Sequence, residues 1–113
     1  MQARAVAKYV RHSPRKLRRH ADLVRGKHLH EVRALLGLNS SPAAKALRKV
    51  VESAAANAEN NHDMKPDDLY LTQVRVDEGI TFRAGFRPRA RGRAERRRRP
   101  TSHITVVLDD EVE

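Results

Sequence analysis

The chain has 113 residues, with 24 Lys and Arg against 14 Asp and Glu, a net charge of +10, no cysteine and no tryptophan. That length builds one small core. The missing cysteine excludes a disulfide framework and thiolate metal sites, and no apolar run is long enough to span a membrane, so a cytoplasmic protein without a membrane partner is expected.

The charge is unevenly placed. Residues 1–35 hold ten basic and two acidic groups, 36–82 five and seven, 83–100 nine and one, and 101–113 only four acids. A near-neutral middle between two basic blocks predicts a folded body with separate polyanion-facing surfaces. A skew of this size favours nucleic acid over a protein or a small molecule.

Residues 2–12, QARAVAKYVRH, roughly alternate small apolar and basic side chains. With Val6, Tyr9 and Val10 as the best strand formers, they predict a strand. Ser13-Pro14 supplies an N-cap and a proline at the first helical position, and Gly26 a stop, so a helix is predicted to about Arg25. Leu17, Ala21 and Val24 form its apolar stripe. Arg15, Lys16, Arg18 and Arg19 lie mostly off that stripe. For an isolated helix a solvated face would be the default; here the cationic block has no acidic partners nearby, which favours phosphate contact.

A short helix is predicted from about His30 to Leu36, carrying Val32, Leu35 and Leu36, before Gly37, Asn39 and Ser40 break the pattern. Ser41-Pro42 repeats the start signal, and a longer helix to about Asn60 keeps Ala43, Leu47, Val50, Val51, Ala54 and Ala58 on one stripe. The run Ala54-Ala55-Ala56 has strong helix propensity and little bulk, so a neighbouring element can come close. Residues 60–68 are turn chemistry. Leu69–Glu78 then predicts a strand with Tyr70, Thr72, Val74 and Val76 on one face and Gln73, Arg75 and Asp77 on the other. Gly79 marks a bulge or bend. Thr101–Leu108 predicts a last strand with Ile104, Val106 and Leu108 turned to the core, and an acidic tail follows.

Between these strands lie the 22 residues from Gly79 to Pro100. As two extended arms they would each reach roughly 35 Å. A two-stranded ribbon of that length is not stable alone in water, so it has to be ordered by what it binds. From Arg83 onward it holds nine arginines and no lysine. Guanidinium presents a planar fork to phosphate and stacks on bases, and against structured RNA such an arm reads backbone and shape more than sequence. A disordered basic linker or localisation signal is the plainer reading; Glu95, Pro88 and the flanking strands argue against it.

Nothing in the sequence speaks for catalysis. The six histidines (His12, His20, His28, His30, His62 and His103) are scattered, and no cysteine or clustered carboxylate completes a metal set. Asp67-Asp68 and Asp77-Glu78 read as turn and solubility residues. No nucleophile motif or glycine-rich phosphate loop occurs. No enzyme, metal or cofactor is expected.

Five blocks, in order, carry a resemblance: AKYVRHSPRKLRRHADLVRGK, KVVESAAANAENNH, VDEG, RPRARGRA and TSHITVVL. Together they span nearly the whole chain and resemble the family of bacterial large-subunit ribosomal protein twenty-two. The resemblance implies an α+β fold, with three helices packed on a small three-stranded antiparallel sheet and one long arginine-rich β-hairpin projecting from the body. It implies one domain over 1–113, with 79–100 as the arm. It further implies a structural constituent of the large ribosomal subunit that binds large-subunit ribosomal RNA, supports assembly and meets neighbouring ribosomal proteins. The hairpin would line the polypeptide exit tunnel, its tip near the macrolide-binding region and beside the nascent polypeptide. No homo-oligomer is expected.

Carried over by position, Pro88, Arg89, Ala90, Arg91 and Gly92 would form the tip, with Arg87 and Arg93 beside it. Arg11, Ser13, Arg15, Lys16 and Lys27 would face RNA from the body, joined by Arg18 on the basic helix face. Arg83, Arg96, Arg97, Arg98 and Arg99 would do so along the arm. The chain departs from the family pattern in the arm. Eight residues separate Gly79 from Pro88, one more than the pattern has, and Ile80 stands where a proline is usual. Arg96–Arg99 replace a mixed aliphatic and basic stretch, and Pro100 stands where a basic residue is common. An inserted residue has to be absorbed as a bulge or a changed tip.

A second reading is a DNA-bending architectural protein with basic β-arms, in which the tip proline wedges between base steps. Such proteins usually dimerise through a large apolar surface, which nothing beyond the helix stripes supplies.

Overall fold

Both serine–proline pairs start helices, though the prolines carry that role without help from the serine side chains. The computed structural model describes residues 1–88, 92 and 94–110, and over 82–88 and 94–98 the backbone alone. The elements run β1 Gln2–Val10, α1 Pro14–Val24, α2 Leu29–Leu38, α3 Pro42–His62, a 3-10 turn Pro66–Asp68, β2 Tyr70–Glu78, β3 Phe82–Pro88, β4 Ala94–Arg99 and β5 Ser102–Asp109. Ser13 and Ser41 sit at the N-cap positions of α1 and α3, but neither side chain makes a capping bond. Pro14 and Pro42 fix the helical φ of the first turn, where no amide donor is needed. The cap that forms is one the sequence reading did not propose: His28 accepts the His30 N–H at the start of α2. Gly37 does not end α2, which continues to Leu38.

The body is a three-stranded antiparallel sheet in the order β1-β5-β2, so the last strand is central. Its α+β architecture is the one expected. One face is covered by α3, lying over β1 and β5, and by α1, lying over β2. Leu17, Ala21 and Val24 of α1 and Ala43, Leu47, Val50, Val51, Ala54 and Ala58 of α3 are all buried. They meet Ala3, Ala5, Leu71, Val74, Val76, Ile104, Val106 and Leu108 from the sheet in one core. Alanines on both α3 and β1 let helix and strand approach closely, which is why neither element needs bulk there. The opposite sheet face carries no helix: Arg4, Val6, Gln73, Arg75 and Asp77 are exposed on it. In α2 the apolar side splits, with Leu29, Val32 and Leu36 buried and Leu35 and Leu38 exposed. A two-pronged Arg33–Glu52 pair at 2.9 and 3.1 Å ties α2 to α3.

The predicted faces of β2 need one correction. Leu71 pairs with Leu108 and Gln73 with Val107, which leaves Thr72 without an opposite number. This bulge reverses the alternation. Leu71, Val74 and Val76 are buried, Thr72 is exposed and Tyr70 is half-buried.

β3 and β4 pair antiparallel as a separate two-stranded ribbon. The chain measures 61 × 25 × 22 Å with a radius of gyration of 17.0 Å, against about 13 Å for a compact chain of this length. The ribbon projects.

Candidate nucleic-acid interface

The foot of the arm is riveted by the three residues Thr101-Ser102-His103, each to a different segment. Gly79 N–H donates to Thr101 O at 2.9 Å. The Thr101 hydroxyl donates to Ile80 O at 2.6 Å, and the Ser102 hydroxyl donates to His12 O at 2.7 Å. His103 Nδ1 accepts the Tyr9 N–H at 3.1 Å. Thr101 and Ser102 are fully buried, so their hydroxyls would be costly without these acceptors. The TSH block thus joins the arm to β2, to the loop after β1 and to β1 itself.

Within the ribbon the register is Phe82 with Arg99, Arg83 with Arg98, Phe86 with Arg96, Arg87 with Glu95 and Pro88 with Ala94. Ala84 and Gly85 therefore stand against Arg97 alone, a bulge within the ribbon. Arg83 is set directly opposite Arg98. Like charges at paired positions disfavour the pairing, and Glu95, the only acid in the sequence of the ribbon, is in register with Arg87. A ribbon with this charge pattern and no helix against it gains little from its own pairing. An anion laid along it would reverse the sign of that repulsion.

Pro88 is the last residue of β3. Gly92 is exposed with φ +74°, a left-handed conformation that glycine adopts without cost. Arg89, Ala90, Arg91 and Arg93 lie outside the described residues. Arg83, Arg87, Arg96, Arg97 and Arg98 are placed by backbone register alone, and Arg99 is exposed.

On the body, Arg11, Arg15, Lys16 and Lys27 are exposed, and Ser13 is half-buried at the head of α1. None of the four cations makes an ion pair among the described residues. Arg18 differs. Its Nε and Nη2 both donate to Val76 O, at 3.2 and 3.0 Å. Arg25, about two turns further on at the C-cap of α1, donates through Nη2 to Val74 O at 2.8 Å and through Nη1 to Asp22 at 2.7 Å. β2 is an edge strand, and these two arginines satisfy outward carbonyls that would otherwise invite another strand. Residues 26–29 cover the rest of that edge through Gly26 N–H to Leu71 O, Leu71 N–H to Lys27 O and Leu29 N–H to Leu69 O. The basic face of α1 therefore divides into free cations and cations that brace the sheet.

His28 and His30, two of the histidines that look scattered in the sequence, are also brought together. His28 precedes α2 as its cap, so the two rings stack at 5.0 Å. Their outer nitrogens bond Asp67, at its backbone oxygen and at Oδ1. The pair fastens α2 to the 3-10 turn.

A family model described as Ribosomal protein L22p/L17e matches residues 5–109. The chain belongs to this ribosomal protein family. Its similarity to curated members is spread over the full length. It is 50% identical over 113 residues to the "Large ribosomal subunit protein uL22" of Pelotomaculum thermopropionicum, covering 100% of this chain and 99% of that one. The protein of that name from Thermus thermophilus is 52% identical over 110 residues, covering 97% and 96%. The one from Rubrobacter xylanophilus is 55% identical over 105 residues, covering 93% and 82%.

Within this L22p/L17e member, sequence reasoning found the basic blocks but not the joints. The roles of Ser102 and Tyr9 depend on register across β1 and β5, which are about a hundred residues apart in the chain, and those of Gly79 and Thr101 on how the end of β2 meets the start of β5. The one local signal was the clustering of two hydroxyls and a histidine immediately after Pro100.

Proposed function

We propose that the chain holds large-subunit ribosomal RNA at two places, with the free cations of its N-terminal basic face and with the arginine ribbon of residues 79–100. Membership of the L22p/L17e family makes it a structural constituent of the large ribosomal subunit, and so a cytoplasmic, ribosome-bound protein. The same membership leaves the DNA-bending reading without support. The observation that carries RNA binding is the ribbon's register: Arg83 against Arg98, with one acid among nine arginines, is a pattern that requires a polyanion. Along the arm, Arg83, Arg87, Arg89, Arg91, Arg93 and Arg96–Arg99 supply phosphate contacts. On the body Arg11, Arg15, Lys16 and Lys27 do so, with Ser13 at the helix head. Arg18 keeps its charge on that surface while bracing β2.

The finer assignment follows the family resemblance. Body and arm work as one domain over residues 1–113, and Pro88 to Gly92 turn the hairpin at the wall of the polypeptide exit tunnel, beside the nascent polypeptide. The body meets neighbouring ribosomal proteins and supports assembly, as a single copy, without a catalytic role. Among the described residues no helix is long and apolar enough to cross a membrane.

Filter binding tests the reading. The chain should prefer large-subunit ribosomal RNA to duplex DNA of equal phosphate content, with affinity falling by about a thousandfold or more between 50 and 200 mM salt. Equal affinity for the duplex would overturn it. The two kinds of α1 cation should separate in the same assay. Replacing Arg15 and Lys16 by Ala should lower the salt slope by about 1.5 to 2 and leave the melting temperature unchanged. Arg18→Ala should lower the melting temperature as well, because Val76 O loses both of its donors.

A further inference from the structure

Tyr9 is held in a conformation its residue type avoids. Its φ is 57°; among the described residues the other positive-φ residue besides glycine is Asp63, in the left-handed position that ends α3. Asp adopts that region readily, whereas for a bulky aromatic it is an outlier. The cause is a bulge. Ala7 pairs with Ile104 and Val10 with Ser102, so Lys8 and Tyr9 both stand against His103. Bulges of this form commonly place glycine at the left-handed position, and they re-aim a side chain.

The surroundings fix where this side chain goes. The Tyr9 N–H donates to His103 Nδ1 at 3.1 Å, and the two rings meet edge to face at 5.0 Å and 85°. His103 therefore uses at most one face of the tyrosine ring. The residue remains 54% exposed. A tyrosine serving only as a cross-strand packing partner needs no left-handed backbone and would cover itself better. Tyr70 is such a case, half-buried with its ring against His28. Tyr9 also sits where the charged surfaces converge. His103 follows the Thr101-Ser102 rivet at the foot of the arm, exposed Lys8 and Arg11 flank Tyr9 on its own segment, and Arg75 and Asp77 face the same open side of the sheet. Asp77, opposite His103, is the acid of this patch and has Arg75 within 3.6 Å.

We propose that Tyr9, set by His103, is a stacking platform for one unpaired nucleobase of the bound RNA, at the junction between body and arm. The proposal rests on the RNA-binding reading above. Strained backbone is retained where the side chain it aims is used. An exposed ring among cations suits a single-stranded base, whose phosphates the cations take and whose π-face the ring takes.

The test uses the full chain with Tyr70→Phe, which leaves Tyr9 as its single tyrosine. A short mixed-sequence single-stranded RNA and inorganic polyphosphate are titrated against it, following the tyrosine ring protons by NMR. The expected result is an upfield ring-current shift with RNA and none with polyphosphate, although both bind. Tyr9→Gly suits the left-handed backbone, so it should keep the wild-type melting temperature and polyphosphate affinity while losing about tenfold in RNA affinity. Tyr9→Phe should retain RNA affinity.

Binding of both polyanions without the shift, or wild-type RNA affinity in Tyr9→Gly, overturns the stacking site alone. Equal weakening toward both polyanions in Tyr9→Gly assigns Tyr9 to the fold and overturns it too. Failure of the parent chain to bind either polyanion removes the RNA-binding reading and the stacking site with it.

Discussion

A chain lacking residues 83–99 should fold, melt cooperatively and still bind large-subunit ribosomal RNA, with a much shallower dependence on salt. The deletion removes nine arginines and one glutamate and takes the net charge from +10 to +2. The core of the body is built from residues 3–76 and 104–108. Phe82 stands opposite Arg99, the neighbour of Pro100, so a short glycine turn can join Phe82 to Pro100 without strain. The rivets at Gly79, Thr101, Ser102 and His103 all lie outside the cut. Each phosphate contact contributes about 0.7 to 0.9 to the slope of log affinity against log salt. Losing several of them should cost on the order of a hundredfold or more in affinity at low salt, while Arg11, Arg15, Lys16 and Lys27 sustain the remainder. Filter binding across a salt series, beside a thermal melt of the same variant, measures both parts. A deleted chain that binds no RNA would place the whole interface on the arm. One that fails to fold would make the arm part of the body.

Gly79→Ala should destabilise the body by about 2 kcal/mol and lower its melting temperature by roughly 5–10 °C. A Cβ at position 79 would stand 2.5 Å from Thr101 Oγ1 and 3.2 Å from the Thr101 carbonyl carbon and oxygen. Thr101 cannot step aside. It is fully buried, its hydroxyl is committed to Ile80 O, and its own carbonyl accepts from Gly79 N–H. The added methyl must separate β2 from the start of β5 at the point where the arm leaves the body. Gly37→Ala is the matched control: no atom lies within 4 Å of the added methyl, and the position is helical. Alanine there should stabilise the chain by up to about 1 kcal/mol. Differential scanning calorimetry on the two variants decides the point. If Gly79→Ala melts with the wild type, the close approach at the arm's foot is not a constraint.

Much of the fold was legible because its signals are local. The paired Ser-Pro starts at 13–14 and 41–42 placed α1 and α3, and the stripes Leu17-Ala21-Val24 and Ala43 through Ala58 named the residues that are buried. The exceptions share a cause. The reversal of faces at Thr72, the division of labour between Arg18 and Arg15, and the strain at Tyr9 all depend on which strand lies beside which, and at what register. A period-2 pattern in β2 is uninformative about a bulge unless the partner strand is known. A basic helix face says nothing about which of its cations meet carbonyls of an edge strand. The cap of α2 was not legible, because the sequence gives no sign that a histidine will stand there in place of a Ser, Thr or Asp. In the candidate interface the polarity of the surface could be read from composition. Its joints at Gly79, Thr101 and Ser102 came only with the tertiary contacts.

Sedimentation of a cell lysate, with this chain followed by immunoblot, tests the central claim most directly. The account predicts that at moderate salt the chain runs with the large subunit and the intact ribosome, and leaves them only in high salt, as counterion-driven contacts require. A chain that sediments free of the large subunit at moderate salt would contradict it.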